Sequence, residues 1–293
     1  MPLPGRSVFI GLIGFLLFAS GCAPTADPCA PGDARCRPFV GILLYTVSEP
    51  RYVTPDELPD LLLWLDAGSG VTLSGGNVSG WRDRSANQIQ LSQGTANFQP
   101  LFDSTGVGGN PAIHCDGVDD ILSAGDVAVL NMSADESWTL LLVARPLAVS
   151  GSYQAIFSKA DPGGANTNPI FAAVQQSTSN FDGGVRTDVV AYNLTLTNSF
   201  TLGAPALFTL VRRQRLSLTG YLNGIFDSEA IINAAGSVNS AGSFNVCDQD
   251  GAVNFYNGLV AEAVIYRRAL SDSERANLEC HFSHKYGLNA EHC

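Results

Sequence analysis

Short apolar and β-branched runs broken by turn clusters fill the chain from Leu58 onward, and that rhythm restricts the architecture more than any other feature. The clearest runs are Leu61–Leu65, Ala112–Cys115, Ser137–Arg145, Tyr153–Ser158, Ile170–Gln175, Leu207–Arg212, Ser217–Leu222 and Val260–Tyr266. Between them stand Gly75-Gly76-Asn77, Gly108-Gly109-Asn110-Pro111, Asp161-Pro162-Gly163-Gly164 and Asp182-Gly183-Gly184, all rich in turn-forming residues. Many short strands with Gly-rich turns predict an all-β sandwich or jelly roll. Asn223-Gly224 separates Tyr221-Leu222 from Ile225-Phe226 and predicts a two-residue type I′ hairpin, since both residues tolerate the positive φ that this turn requires. One helix is expected, at the end of the chain. Ser271-Asp272-Ser273-Glu274 is a capping box, Leu278, Phe282 and Tyr286 form one apolar stripe, and Gly287 is placed to stop the helix.

The first 22 residues point outside the cytosol. Arg6 gives a positive start, Val8 to Phe18 is unbroken apolar residues and glycine, and Ala19-Ser20-Gly21-Cys22 follows. The apolar run is shorter than the about 20 residues a membrane-spanning helix needs, so residues 1–21 are expected to be a secretory leader. With the cysteine after small residues, the segment resembles a bacterial lipoprotein signal. That resemblance implies that Cys22 becomes the lipid-bearing first residue of the mature chain. Ala23, rather than Asp, after that cysteine implies an outer-membrane or cell-surface destination. Ala19 stands where such signals usually carry Leu, which leaves an ordinary secretory cut after Gly21 as the alternative.

The seven cysteines fit an exported chain. If Cys22 carries lipid, six remain, an even number that can pair in an oxidising compartment. Sequence leaves 15 connectivities open. Short loops favour Cys29–Cys36 and Cys280–Cys293, and Cys115–Cys247 then remains. Residues 22–57 read as a small, Pro-bearing tether, within which Phe39 to Val47 is either a strand or a docked segment; residues 58–293 form one domain. The net charge of −11 argues against nucleic acid, whose phosphates reward Lys and Arg clusters. It also argues against a basic membrane-binding face, so a membrane link would be the lipid.

Several segments are similar to concanavalin A-like jelly rolls, in particular the laminin-G-like domains of bacterial surface proteins. They are the opening Leu61-Leu62-Leu63-Trp64-Leu65-Asp66-Ala67, the Trp81-Arg82-Asp83-Arg84-Ser85 turn, and Cys115-Asp116-Gly117-Val118-Asp119-Asp120. Asn257–Tyr266, Ala269–Glu274 and Lys285-Tyr286-Gly287-Leu288 resemble the family's closing strand and terminal helix. Cys115 replaces the family's usual Phe. The resemblance covers roughly residues 58–288. It implies a two-sheet antiparallel jelly-roll sandwich with a short C-terminal helix, and members that bind sugars, bind proteins or act as spacers.

The chemistry is sparse. Glycoside hydrolases on such folds need two converging carboxylates, and acids two or four apart on one strand would supply them. No strand shows that pattern, and Glu262 reads as a structural residue. Asp116, Asp119 and Asp120 form the densest acidic group and are the candidate Ca²⁺ ligands, with an Asx turn as the plainer reading. Asp248-Gln249-Asp250-Gly251 lacks the further ligands of an EF-hand loop. His281 and His284 share a helix face with Cys280 and Cys293 near by, but exported cysteines favour disulfides over zinc. Trp64 and Trp138 lie in apolar runs and read as core. Trp81, between Gly80 and Arg82, is the candidate ligand-binding ring, although packing is the better account of it. The expectation is a lipid-anchored, non-catalytic binding or adhesion module for a glycan or surface protein. A polysaccharide-active hydrolase or lyase and a purely structural surface domain are the alternatives.

Overall fold

The computed structural model describes residues 52–132, 135–150, 153–160, 168–175, 177–186, 191–232, 240–249, 254–290 and 292–293. The expected leader, Cys22, the Cys29–Cys36 pair, Phe39–Val47 and the turn at 161–164 lie outside them. Among the described residues the first strands are β1 (Leu61–Asp66), β2 (Val71–Ser74), β3 (Asn77–Arg82), β4 (Gln90–Ser92), β5 (Leu101–Val107), β6 (Asn110–Asp116), β7 (Leu122–Asp126), β8 (Trp138–Pro146) and β9 (Gln154–Lys159). They continue through β10 (Asn168–Val174), β11 (Phe181–Arg186), β12 (Ala191–Thr195), β13 (Ala206–Arg213), β14 (Ser217–Leu222), β15 (Ile225–Ile231), β16 (Ser243–Val246) and β17 (Asn257–Tyr266) to helix α1 (Asp272–Tyr286).

The ladders between these strands are antiparallel and build a two-sheet jelly-roll sandwich. The first sheet runs β15–β14–β13–β8–β17, with β1 and then β6 along the far edge of β17 and β5 outside β6. The second runs β12–β11–β10–β9–β16–β7–β4–β3–β2. A single bridge, Asn77 to Leu101, continues one into the other. Leu63, Leu140 and Phe208 of the first sheet meet Leu91, Phe157 and Phe181 of the second in the main core. Phe181 and Phe208 stack across it, their ring centroids 5.0 Å apart.

Helix α1 covers the outer face of the first sheet. Leu278, Phe282 and Tyr286, the stripe anticipated from spacing, pack on Trp64, Leu141, Val264 and Tyr266. Ser271 Oγ accepts from Glu274 N, the Glu274 carboxylate accepts from Ser271 N at 2.9 Å, and Gly287 closes the helix at φ 65°. The hairpin anticipated at Asn223-Gly224 has φ values of 52° and 77°, both in the region a type I′ turn needs. Residues 52–57, expected as the end of the tether, belong to the folded body. The buried Tyr266 hydroxyl donates to Pro55 O at 2.8 Å, and Asn277 Oδ1 accepts from Val53 N at 3.2 Å.

Asp182-Gly183-Gly184 is a strand segment of β11 and not the expected turn. A Cβ on Gly183 would stand 2.9 Å from Leu210 and 3.2 Å from Phe208. This glycine is set by close inter-sheet packing. Among the described residues two disulfides complete the body: Cys115 at the end of β6 joins Cys247 just after β16, and Cys280 on α1 joins Cys293. The first ties one sheet to the other.

Candidate functional site

Trp81 does not offer a ring to a ligand. It is completely buried in the core and its Nε1–H donates to Asp66 O at 3.1 Å. The turn that follows is equally structural. Asp83 Oδ1 accepts from Trp64 N at 2.6 Å and Ser85 N at 2.8 Å, and its Oδ2 accepts from Ser85 Oγ at 2.6 Å. The Trp-x-Asp-x-Ser motif thus fastens the end of β3 to β1.

A carboxylate pair does exist, and one-strand spacing could not reveal it. Asp66 on β1 and Glu262 on β17 stand directly opposite each other across the ladder. Both lie on the face covered by α1, where Lys285 reaches between them. Its Nζ is 2.6 Å from Glu262 Oε2 and 3.2 Å from Asp66 Oδ1. Arg84 holds the other Asp66 oxygen at 2.6 Å and stacks on Trp64, 3.6 Å from the ring centroid. Glu262 also accepts from Trp64 Nε1 at 2.5 Å and from the Tyr286 hydroxyl at 2.7 Å. Burial pushes the Glu262 carboxyl above the usual range, and Lys285 pulls it back. The expected structural role of Glu262 agrees with these contacts. The pair is bonded on several sides and roofed by a helix. The signal present in the sequence was an acid ending one apolar strand and a second acid inside another.

The loop after β6 brings Asp116, Asp119 and Asp120 together, with one carboxylate oxygen from each within 4.8 Å of the others. Asp116 Oδ1 accepts from Val118 N at 2.8 Å, which is the anticipated Asx turn. Asp120 Oδ2 accepts from Asp116 N at 2.8 Å. Burial, with repulsion from Asp116 and Asp119, pushes the Asp120 carboxyl up to about 6. Three hard oxygen donors on a turn suit Ca²⁺, which would also relieve that repulsion. Both readings of the loop are compatible with its geometry.

The outer face of the second sheet carries polar groups that sequence reasoning missed. Phe181 and Val185 point into the core, so Asp182, between them on β11, points away from it. Asp182 is nonetheless buried. The Tyr153 hydroxyl donates to its Oδ2 at 2.8 Å, and Asn193 Nδ2 donates to its two oxygens at 3.0 and 3.1 Å. Burial raises its carboxyl above the usual range, and those donors oppose the rise. The Tyr153 ring tilts against Phe171 on β10, with centroids 6.4 Å apart. An acid, an amide, a phenol and a phenyl ring therefore meet on one sheet face.

No family model matches the chain, and no curated protein matches it either. Solved structures share its fold. The binding domain of Paraclostridial mosquitocidal protein 1 superposes with a TM-score of 0.57 at 16% identity, over 76% of this chain and 52% of that one. The binding domain of botulinum neurotoxin serotype G gives 0.56 at 13% identity, over 75% and 51%. The binding domain of botulinum neurotoxin DC in complex with rat synaptotagmin II gives 0.51 at 11% identity, over 78% and 52%. The chain spans about half the length of these relatives, and the likeness is one of β-sandwich fold.

Proposed function

We propose that this chain is an exported, lipid-anchored module that binds a glycan or a protein at the cell surface and performs no catalysis. The observation that carries the reading is the outer face of the second sheet, where Asp182 holds Tyr153 and Asn193 beside the Phe171 ring. Phe171 and Asp182 are buried, and the half-buried Tyr153 and Asn193 are the groups of the cluster that a ligand could reach, fixed polar groups of the kind that orient a ligand. The neurotoxin DC domain, alike in fold, is a binding domain that takes a protein. Lipid attachment at Cys22 would hold the module on the membrane, and Ca²⁺ at Asp116, Asp119 and Asp120 would fix the neighbouring loop.

The non-catalytic part of the reading is supported by the state of Asp66 and Glu262. An enzyme acting on polysaccharide needs one carboxyl free to give a proton and another free to attack or to activate water. Here Lys285 and Arg84 occupy these oxygens and α1 lies over them. A glycan and protein array, screened with Ca²⁺ and with chelator, tests the binding reading; no ligand in either condition leaves a structural surface domain. Hydrolysis assays on neutral and acidic polysaccharides test the other half. Turnover lost on Glu262→Gln would establish the enzyme instead. Membrane partition that persists in Cys22→Ser would refute the lipid anchor.

A further inference from the structure

Of the 16 basic residues in the chain only Lys159 and Lys285 are lysines, and the folded body draws both against carboxylates. An ion pair alone is better served by arginine, whose guanidinium keeps its charge and bonds a carboxylate through two parallel donors. What lysine adds is an amine that can give up its proton and become a nucleophile. Lys159 makes no use of this. Its Nζ donates to Asp126 Oδ1 at 2.8 Å, Ser240 O at 2.6 Å and Gly242 O at 3.0 Å, which uses all three hydrogens, and the Asp126 side chain is 48% exposed to water.

Lys285 is placed differently. From the last turn of α1 it meets two carboxyls at once, Glu262 Oε2 at 2.6 Å and Asp66 Oδ1 at 3.2 Å. The Glu262 side chain is completely buried and both its oxygens are held, Oε1 by Trp64 Nε1–H at 2.5 Å and Oε2 by the Tyr286 hydroxyl at 2.7 Å. Asp66 is fixed from its own side, by Gly68 N on Oδ1 at 2.9 Å and by Arg84 on Oδ2 at 2.6 Å. An amine, an acid polarised by two donors, and a second carboxylate within reach of the amine's protons are what a condensation needs. Holding the reacting groups in register is worth an effective concentration of about 10⁵ M or more. Keeping the pair ionised here carries a desolvation cost that a neutral amide does not. Burial, which raises the Glu262 carboxyl, acts in the same direction.

We infer that Lys285 and Glu262 condense to an intramolecular amide, an isopeptide bond, with Asp66 as the proton carrier. The bond from Nζ to Cδ forms and the bond from Cδ to Oε2 breaks. Of the three ammonium protons one stays on the amide nitrogen. The other two leave with the Glu262 oxygen as water, passed across by Asp66 Oδ1. Trp64 Nε1–H keeps its bond to Oε1, which becomes the amide oxygen, and the Tyr286 hydroxyl donates to the oxygen that departs. The Lys285 side chain is 26% exposed, which gives the water a way out. The ion pair is the state before reaction. The bond fastens the end of α1 to the middle of β17 by a link that, unlike Cys280–Cys293, reductant does not open, and it is independent of what the module binds.

Mass spectrometry of the folded full chain, reduced and denatured just before analysis, tests this. Trypsin should fail to cut after Lys285 and should yield a branched peptide that joins β17 to α1 and is lighter than its parts by one water. Lys285→Arg keeps the charge and cannot form the amide, so its peptides should carry their full mass. Asp66→Asn should slow the appearance of the branch after cell-free synthesis under oxidising conditions about a hundredfold, with near-UV circular dichroism reporting that the fold is kept. Cleavage after Lys285 together with an unmodified Glu262 peptide from the wild type would overturn the inference and leave the ion pair as described. A branch from Lys285 to Asp66, or one that forms equally fast in Asp66→Asn, would overturn the roles assigned to the two acids.

Discussion

Replacing Lys285 by Met tests the account of the carboxylate pair beneath α1. Among the described residues Glu262 has one cationic partner, Lys285, whereas Asp66 keeps Arg84 when Lys285 is lost. Removing one member of a buried ion pair costs about 3–5 kcal/mol, because the other is left charged and uncompensated. The Lys285 side chain is 26% exposed and Glu262 keeps its bonds from Trp64 and Tyr286, so about 3 kcal/mol is expected. For a body of this size that corresponds to a fall in Tm of about 6–12 °C. The loss should depend on pH in a definite sense. Burial holds the Glu262 carboxyl above its unfolded value, so its effect on stability is least harmful at low pH and worsens as pH rises toward the folded value. Without Lys285 the folded value climbs further, and the variant should lose more relative to the wild type at about pH 8 than at about pH 5. Adding Glu262→Gln, which removes the orphaned charge, should recover most of the stability. Thermal denaturation of the two single variants and the double variant at both pH values decides the matter. A Tm within about 1 °C of wild type for Lys285→Met, or an equal loss at both pH values, would refute the reasoning.

Asp120 gives a second pH signature. Its carboxyl is raised to about 6, so its burden on the calcium-free protein grows as pH rises from about 4 to about 6. Calcium should therefore raise Tm more at about pH 7 than at about pH 5, and Asp120→Asn should abolish the gain; a calcium shift that survives this change would exclude the loop as the site. Replacing both Cys115 and Cys247 by Ala opens a link between residues 132 apart, and the chain-entropy estimate puts the loss at about 5 kcal/mol, to be read from denaturant midpoints with and without reductant. Gly224→Ala places a side chain at φ 77° and should cost about 1–2 kcal/mol in the same assay, with no change in the denaturant slope.

The parts of the fold that could be read from sequence were those whose cause is local. Strands such as β8 and β17 are buried along almost their whole length and appear as apolar runs; the Asn223-Gly224 turn and the Ser271 cap carry their own backbone chemistry. The hairpin marks the start of strand β15 at Ile225-Phe226, but its further course is not legible, because its side chains are mostly exposed or half-exposed and its pattern follows neither period. Strand β11 was taken for a turn because glycine signals positive φ and close packing with the same letter, and only Leu210 and Phe208 on the opposing sheet tell them apart at Gly183. The same limit hid the site. Asp66 and Glu262 lie 196 positions apart, and nothing near either announces the other.

The opposition of β1 and β17 also bears on how the molecule is made. Among the described residues β1 finds its ladder partner only in β17, so in a nascent chain emerging amino end first the 83–87 turn can bond to Leu62 and Trp64 early, but the ladder of Leu61–Asp66 waits until Tyr266 has been synthesised. Contacts so distant along the chain form slowly, so the edge of β1 stays open for longer than strands that pair with near neighbours such as β14 with β15. Synthesis halted before that final strand would release a product with its first strand unclaimed and prone to aggregate.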